Sequence, residues 1–130
     1  MNDVTPAVPA LEAENLTRIY GQRSRRRPDP SALVAVNAVN LTIPPKTRLG
    51  IVGESGSGKS TLARLLAGLE APSSGHVKWR DQRLDELDRD GRRRYRRSVQ
   101  MVFQDPFTAF NPRRRVWSSF RDVMLSWGDG

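Results

Sequence analysis

The chain has 130 residues, a formal net charge of +8, no cysteine and a single histidine, His76. Apolar residues make up 37% of it and charged residues 28%, which is typical of one globular domain or part of one. The composition excludes disulfides, thiolate metal sites and a zinc site built from histidines, and no apolar run approaches the roughly 20 residues that cross a bilayer.

Arginine supplies most of the positive charge, with 19 arginines and three lysines, and it is clustered at 25–27, 92–97 and 113–115. Such clusters can bind polyanions, so a basic nucleic-acid-binding module remains an alternative function. No RNA- or DNA-binding motif accompanies the clusters, however. We therefore favour a solvated basic surface and expect no specific nucleic-acid partner.

The first part of the chain predicts two strands. Residues 1–10 are rich in proline and alanine and lack a signal-peptide pattern, so we expect a flexible lead before a domain at 11–130. Residues 11–20 and 33–43 have strand character, separated by a polar loop at 21–30. In the second strand one face is apolar, with the residues Val39, Leu41 and Ile43.

Elements of both types follow. Residues 47–52 are short and mostly apolar, which predicts a buried strand. A helix is expected from about Lys59, ending near Gly68 and Pro72, with a core-facing stripe of Leu62, Leu65, Leu66 and Leu69. The remaining segments predict a strand at 75–80, a charged helix on a solvated face at 84–97, a strand at 99–103 and an amphipathic helix with Val116, Phe120, Val123 and Met124 on one face.

The sequence GESGSGKS at 53–60 has the full spacing G-x-x-x-x-G-K-[ST] between a predicted strand and a predicted helix. Glycines at 53, 56 and 58 allow backbone amides to approach phosphate oxygens, and Lys59 brings a positive charge to the β- and γ-phosphates. The hydroxyl of Ser60 is the expected Mg²⁺ ligand. The loop therefore predicts binding of a nucleoside triphosphate with Mg²⁺ by Gly53, Glu54, Ser55, Gly56, Ser57, Gly58, Lys59, Ser60 and Thr61, although a GTPase or a small-molecule kinase could carry the same loop.

This loop and its helix, together with VQMVFQDPFTAFNPR at 99–113, resemble the ATP-binding subunit of ABC transporters, in particular the oligopeptide, dipeptide and nickel importer branch. The resemblance covers the chain from about Leu11 onward. It implies an α/β fold with a P-loop NTPase core of the ABC ATPase type and an antiparallel β subdomain. Gln104 matches the family glutamine that contacts Mg²⁺ or the attacking water, and Tyr20 matches the aromatic residue that stacks on adenine. Lys59 and Gln104 are thus the candidate catalytic residues, and Ser60 and Gln104 the candidate metal ligands.

The same resemblance implies a component that couples ATP binding and hydrolysis to the transport of a solute, peptide or nickel. Its partners would be transmembrane permease subunits and a second ATP-binding subunit, identical or different. These would hold it at the cytoplasmic face of the cell membrane.

The chain also departs from the family pattern. It contains no apolar run ending in Asp-Glu and no LSGGQ-like signature at the expected distance. We therefore expect the N-terminal part of such a subunit, which binds ATP and Mg²⁺ but does not turn ATP over alone. Another P-loop NTPase remains an alternative, although no guanine-reading element follows the loop.

Overall fold

Four antiparallel strands and three helices are formed by the residues that the computed structural model describes, which are 8–21, 30–105, 111 and 113–128. In chain order they are β1 Leu11–Tyr20, β2 Leu33–Ile43, α1 Lys59–Leu66, β3 Ser74–Trp79, β4 Gln82–Arg83, α2 Arg89–Ser98 and α3 Val116–Gly128. The sheet order is β2-β1-β3-β4. Most of the predicted lead and the predicted loop at 21–30 lie outside the described residues.

The central strand is β1, which pairs with β2 on one side and β3 on the other. The predicted strands at 11–20 and 33–43 are confirmed, and the one expected at 75–80 forms one residue earlier. Strand β4 was not predicted. It closes a hairpin with β3 through Arg80 and Asp81, both in the left-handed region with φ of 49° and 65°, as a tight two-residue turn requires.

The core lies between the sheet and α1. It contains Ala13, Leu16, Val36, Leu62, Leu65, Leu66 and Val77. Three of the four predicted stripe leucines are buried, but Leu69 is 57% exposed. Helix α1 ends at Leu66, and Gly68 then takes a left-handed conformation, so Leu69 no longer follows the helical face.

Helix α2 begins five residues later than predicted, because Asp88 caps it by accepting a hydrogen bond from the Gly91 amide at 2.6 Å. The helix is not wholly solvated. Tyr95 is 4% exposed, donates a hydrogen bond to the Leu66 carbonyl and meets Trp79 edge to face with ring centroids 5.6 Å apart. Its ring therefore anchors a helix whose other residues are mostly arginine.

Two predicted strands are absent from the described structure. Residues 47–52 and 99–103 lie outside any strand, and Val52 and Val102 are each 94% exposed. An apolar strand is buried only when others lie beside it, and no described strand pairs with either segment. The prediction of a buried strand at 47–52 and the prediction of a strand at 99–103 are therefore wrong for this structure.

Helix α3 confirms the predicted C-terminal helix, but its apolar face is open. Val116, Phe120, Val123 and Met124 are each more than 50% exposed. Among the described residues, no helix is both long and apolar enough to cross a bilayer.

Candidate functional site

Residues 53–60 form the turn that enters α1. The Ser57 amide donates to the Glu54 carbonyl at 3.2 Å, and Gly56 and Gly58 have φ of 81° and 90°. Residues that carry a side chain rarely adopt these backbone angles, so both positions favour glycine. Gly53 is different, because its φ is not left-handed and a Cβ there would mainly meet the movable Ser57 side chain.

Gly58 is also required by its closeness to β2. A Cβ at this position would approach the Ala35 carbonyl oxygen more closely than the 3.0 Å that real Cβ atoms keep. The register of β2 shows why this carbonyl lies there: Val36 pairs with Arg18 and Val34 with Ile19, so Ala35 is the extra residue of a bulge. The bulge thus fixes the distance between the sheet and the loop.

The N-terminus of α1 is open to an anion. Its N-cap, Gly58, provides no side-chain hydrogen bond, and the first turn contains no acidic residue. The first amides of a helix have no intrahelical acceptor and carry the positive end of its dipole. The exposed side chain of Ser60 lies in this same turn.

The Lys59 ammonium lies within the curve of the loop. It donates to the Gly53 carbonyl at 2.8 Å, to the Glu54 carbonyl and to the Ser57 hydroxyl at 3.2 Å. The loop therefore holds its own cation at the amide-rich end of α1. A phosphate group bound there would meet a positive charge that is already in position.

Tyr20 ends β1 and lies against the first turn of α1. Its hydroxyl donates to Glu70 Oε2 at 2.9 Å and lies 3.5 Å from Thr61 Oγ1. The guanidinium of Arg18 lies over the ring, 4.9 Å from its centroid. The structure thus brings Tyr20 to Thr61, one of the predicted nucleotide-binding residues.

Gln104 is not joined to this group. It is exposed at a bend after 99–103, and no described hydrogen bond or ion pair links it to the loop. Half of the segment QDPFTAFNPRRR, which Gln104 opens, lies outside the described residues, at 106–110 and 112. The catalytic and metal-binding roles of Gln104 therefore stay predictions.

Two cavities lie near α1. One of about 400 Å³ separates β2 from the loop and is lined by Gly53, Ser57, Gly58 and Lys59 among others. A larger one of about 500 Å³ lies at the other end of α1, beside α2. The amides and ammonium of the loop, not cavity size, identify the candidate site.

Sequence reasoning missed Arg18 and Glu70. Arg18 could have been noticed, because residues two apart on a strand project from the same face and Tyr20 was already a candidate. Glu70 is 50 residues from Tyr20 and carries no motif. Only the packing of β1 against the residues after α1 reveals it.

Part of the arginine charge is already bound to protein groups. Arg92 donates to the Leu87 carbonyl at 3.0 Å, and Arg114 forms an ion pair with Asp122 at 2.7 Å. These arginines serve turns and helices of this fold. Their clustering in the sequence is therefore weak support for a nucleic-acid interface.

Known proteins resemble this chain in sequence and in fold. A sequence model of the family described as "ABC transporter" matches residues 36–126. The nickel import ATP-binding protein NikE of Shigella flexneri serotype 5b (strain 8401) is 48% identical over 89 residues, covering 68% of this chain and 33% of NikE. NikE of Escherichia coli (strain K12) is 47% identical over the same length. The chain thus spans only 33% of the length of the curated relatives it matches.

Solved structures agree in fold. The dimeric ATP-binding cassette MJ0796 in a post-hydrolysis state with ADP and Pi superposes with a TM-score of 0.54 at 30% identity. A second dimeric structure of MJ0796, a bacterial ABC transporter cassette, gives a TM-score of 0.56 at 30% identity. Both matches cover 67% of this chain and 35% of the cassette.

Proposed function

Since this chain belongs to the ABC transporter family, we propose that it is an ATP-binding component of a transporter and holds the triphosphate of ATP at residues 53–61. The observation that carries the proposal is the open N-terminus of α1 with the Lys59 ammonium held beside it. Backbone amides, a helix dipole and a fixed cation all favour the same ligand, a polyphosphate.

The residues of the loop would divide the work. The left-handed glycines 56 and 58 keep the backbone free of side chains where phosphate oxygens approach. Lys59 would exchange its bonds to the loop carbonyls for bonds to phosphate oxygens, which as charged acceptors make stronger hydrogen bonds than neutral carbonyls.

The Mg²⁺ of an ATP complex fits this donor set. The exposed Ser60 hydroxyl in the first turn of α1 would supply one oxygen. Gln104, which the structure does not join to the loop, would supply or orient another in a complete assembly. Among the described residues no cluster of three acidic or histidine side chains could hold a metal ion. Mg²⁺ commonly takes its other oxygens from phosphates and water, and when bound it would neutralise charge on the triphosphate.

Tyr20 would stack on the adenine, and Lys59 and Gln104 would serve phosphoryl chemistry in a complete assembly. A second ATP-binding subunit and permease subunits would complete that assembly at the cytoplasmic face of the membrane. The dimeric MJ0796 structures support the first partner. Nickel is the favoured solute because the relatives are nickel import proteins, with peptide as the other candidate.

Thermal unfolding with and without MgATP tests the proposal. Lys59→Ala removes a charge-assisted hydrogen bond, so we expect about ten- to hundredfold weaker MgATP binding and a correspondingly smaller thermal shift. Arg64→Ala is the matched control, because Arg64 is an exposed cation on the same helix, near its C-terminal end.

Equal MgATP shifts for the wild type, Lys59→Ala and Arg64→Ala would contradict the proposal. A short oligonucleotide tests the basic-module alternative in the same assay. Stabilisation by the oligonucleotide and not by MgATP, lost steeply with salt, would favour that alternative.

A further inference from the structure

Three side chains form a connected group beside α1, which we name the Tyr20 clamp: Arg18, Tyr20 and Glu70. Arg18 and Tyr20 are two residues apart on β1, whereas Glu70 lies four residues beyond the end of α1. Glu70 uses both carboxylate oxygens. Oε1 forms an ion pair with Arg18 Nε at 2.8 Å that lacks the geometry of a hydrogen bond, and Oε2 accepts a hydrogen bond from the Tyr20 hydroxyl at 2.9 Å.

The guanidinium of Arg18 has little freedom to leave the ring. Besides its ion pair, it donates from Nη1 to the Ala71 carbonyl at 2.9 Å. The side chains of Arg18 and Glu70 are 26% and 17% exposed, so their pairing is partly shielded from water. The clamp therefore fixes the ring at two points: the hydroxyl on Glu70 and one face on Arg18.

We propose that Arg18 and Glu70 are positioning residues that set which face of Tyr20 receives the base of a bound nucleotide. This inference rests on the proposed function, in which Tyr20 stacks on adenine. Arg18 covers one face of the ring at 4.9 Å from the centroid, and among the described residues no other ring or guanidinium packs on Tyr20. Tyr20 is partly exposed, and we assign its opposite face to the base.

The charges of the clamp separate base recognition from phosphate binding. Glu70 neutralises Arg18, so the pair adds no net charge that would attract a triphosphate. If the clamp positions the ring, the loss of either Arg18 or Glu70 should weaken the binding of ATP more than the binding of a triphosphate without a base. A purely structural tie between β1 and the end of α1 would instead change stability and leave that preference unaltered.

The experiment measures the dissociation constants of MgATP and of magnesium tripolyphosphate for the 130-residue chain and takes their ratio as the base preference. The variants are Arg18→Met, Glu70→Gln, Tyr20→Ala and Tyr20→Phe. Arg64→Met is the control for loss of an exposed arginine near the site. Since the ratio compares two ligands of one variant, a uniform loss of folded protein cancels.

We expect Tyr20→Ala to lower the base preference by about fivefold or more, as loss of a stacked base does. Arg18→Met and Glu70→Gln should each lower it about two- to fivefold, and Arg64→Met should leave it unchanged. Glu70→Gln frees the charge of Arg18, so its affinity for tripolyphosphate should not fall. Tyr20→Phe keeps the ring but loses the hydrogen bond to Glu70, so it should also lower the base preference. This variant tests the positioning role even if Arg18→Met does not fold.

Two results would overturn the inference, and they differ. If Tyr20→Ala lowers the base preference while Arg18→Met, Glu70→Gln and Tyr20→Phe leave it unaltered, the clamp does not position the ring although stacking stands. If Tyr20→Ala itself has no effect on the ratio, the stacking role in the proposed function is wrong, and the inference is wrong with it.

Discussion

Gly58 and Gly56 offer a matched test of how the loop is built. Both have left-handed φ, 90° and 81°, so alanine at either position carries the same conformational cost of about 1–2 kcal/mol. Their surroundings differ. No atom lies within 4 Å of a Cβ at Gly56, whereas one at Gly58 would overlap the Ala35 carbonyl oxygen and lie 3.2 Å from the carbonyl carbon.

The overlap adds a second cost for Gly58→Ala alone. The obstructing atom is backbone, held in the bulge of β2, so either the strand or the start of α1 must move. Forced overpacking costs about 1–3 kcal/mol. We therefore expect Gly58→Ala to lower the free energy of unfolding by about 2–5 kcal/mol and Gly56→Ala by about 1–2 kcal/mol.

Urea unfolding measures both values, and MgATP binding is measured on the folded fraction. Either movement changes how the first turn of α1 lies against β2, so we expect Gly58→Ala to weaken MgATP binding more than Gly56→Ala does. Equal losses of stability in the two variants would refute the close approach of the loop to β2. If the two variants lose the same stability but differ in MgATP affinity, Gly58 is needed for contact with the ligand and not for packing against β2.

Five further outcomes are expected. Tyr95→Phe leaves the buried Leu66 carbonyl without its donor and should cost about 1–2 kcal/mol in urea unfolding, with MgATP affinity unchanged. Burial raises the pKa of Tyr95, so its protonated hydroxyl contributes fully to folding stability below the ordinary pKa of 10.0, and this contribution should be lost as the pH rises above that value. Identical alkaline unfolding of the wild type and Tyr95→Phe would contradict this. The Lys78 ammonium lowers the pKa of Glu14, so the pair stabilises the folded state above pH 4.5 and loses this effect as the pH falls through the lowered pKa. Lys78→Met should raise the Glu14 pKa in an NMR titration, and an unchanged pKa would disprove the pairing. In an assembled transporter, Gln104→Ala should reduce ATP-driven transport more than ATP binding, and unchanged transport-stimulated ATPase activity would count against this. The 130-residue chain alone should not hydrolyse ATP, since it contains no apolar run ending in Asp-Glu to orient water, and no such run precedes its Asp85-Glu86 pair. Robust turnover that Lys59→Ala abolishes would show the assignment of roles to be wrong.

The features that the sequence predicted correctly depend on neighbours close along the chain. The spacing from Gly53 to Ser60 dictates a turn followed by a helix, and the alternation in 33–43 dictates a strand with one apolar face. The predicted fold class, an α/β core of the ABC ATPase type with an antiparallel β subdomain, is confirmed by the solved cassettes. That prediction came from the resemblance, because local patterns alone do not select a topology.

The features that the sequence did not predict depend on contacts between distant residues. Tyr95 is central to the attachment of α2, yet it stands among arginines and gave no apolar period. The bulge at Ala35 follows from how β2 pairs with β1, and a strand pattern contains no information on that register. The clamp likewise needs Glu70 to lie beside a strand that ends 50 residues earlier.

Residues 47–52 and the loop at 53–60 that follows them show which kinds of structure can be predicted from the sequence and which cannot. Apolar, β-branched residues such as Ile51 and Val52 favour a strand, but a strand satisfies its backbone only through another chain segment alongside it. No described strand takes that place, and Ile51 and Val52 are 42% and 94% exposed. The loop needs no such partner for its own turn, because Ser57 bonds to Glu54, Lys59 bonds to the loop carbonyls, and the left-handed glycines need only the absence of a side chain. A site built from its own backbone can therefore be predicted from its sequence even where the strand that leads into it cannot.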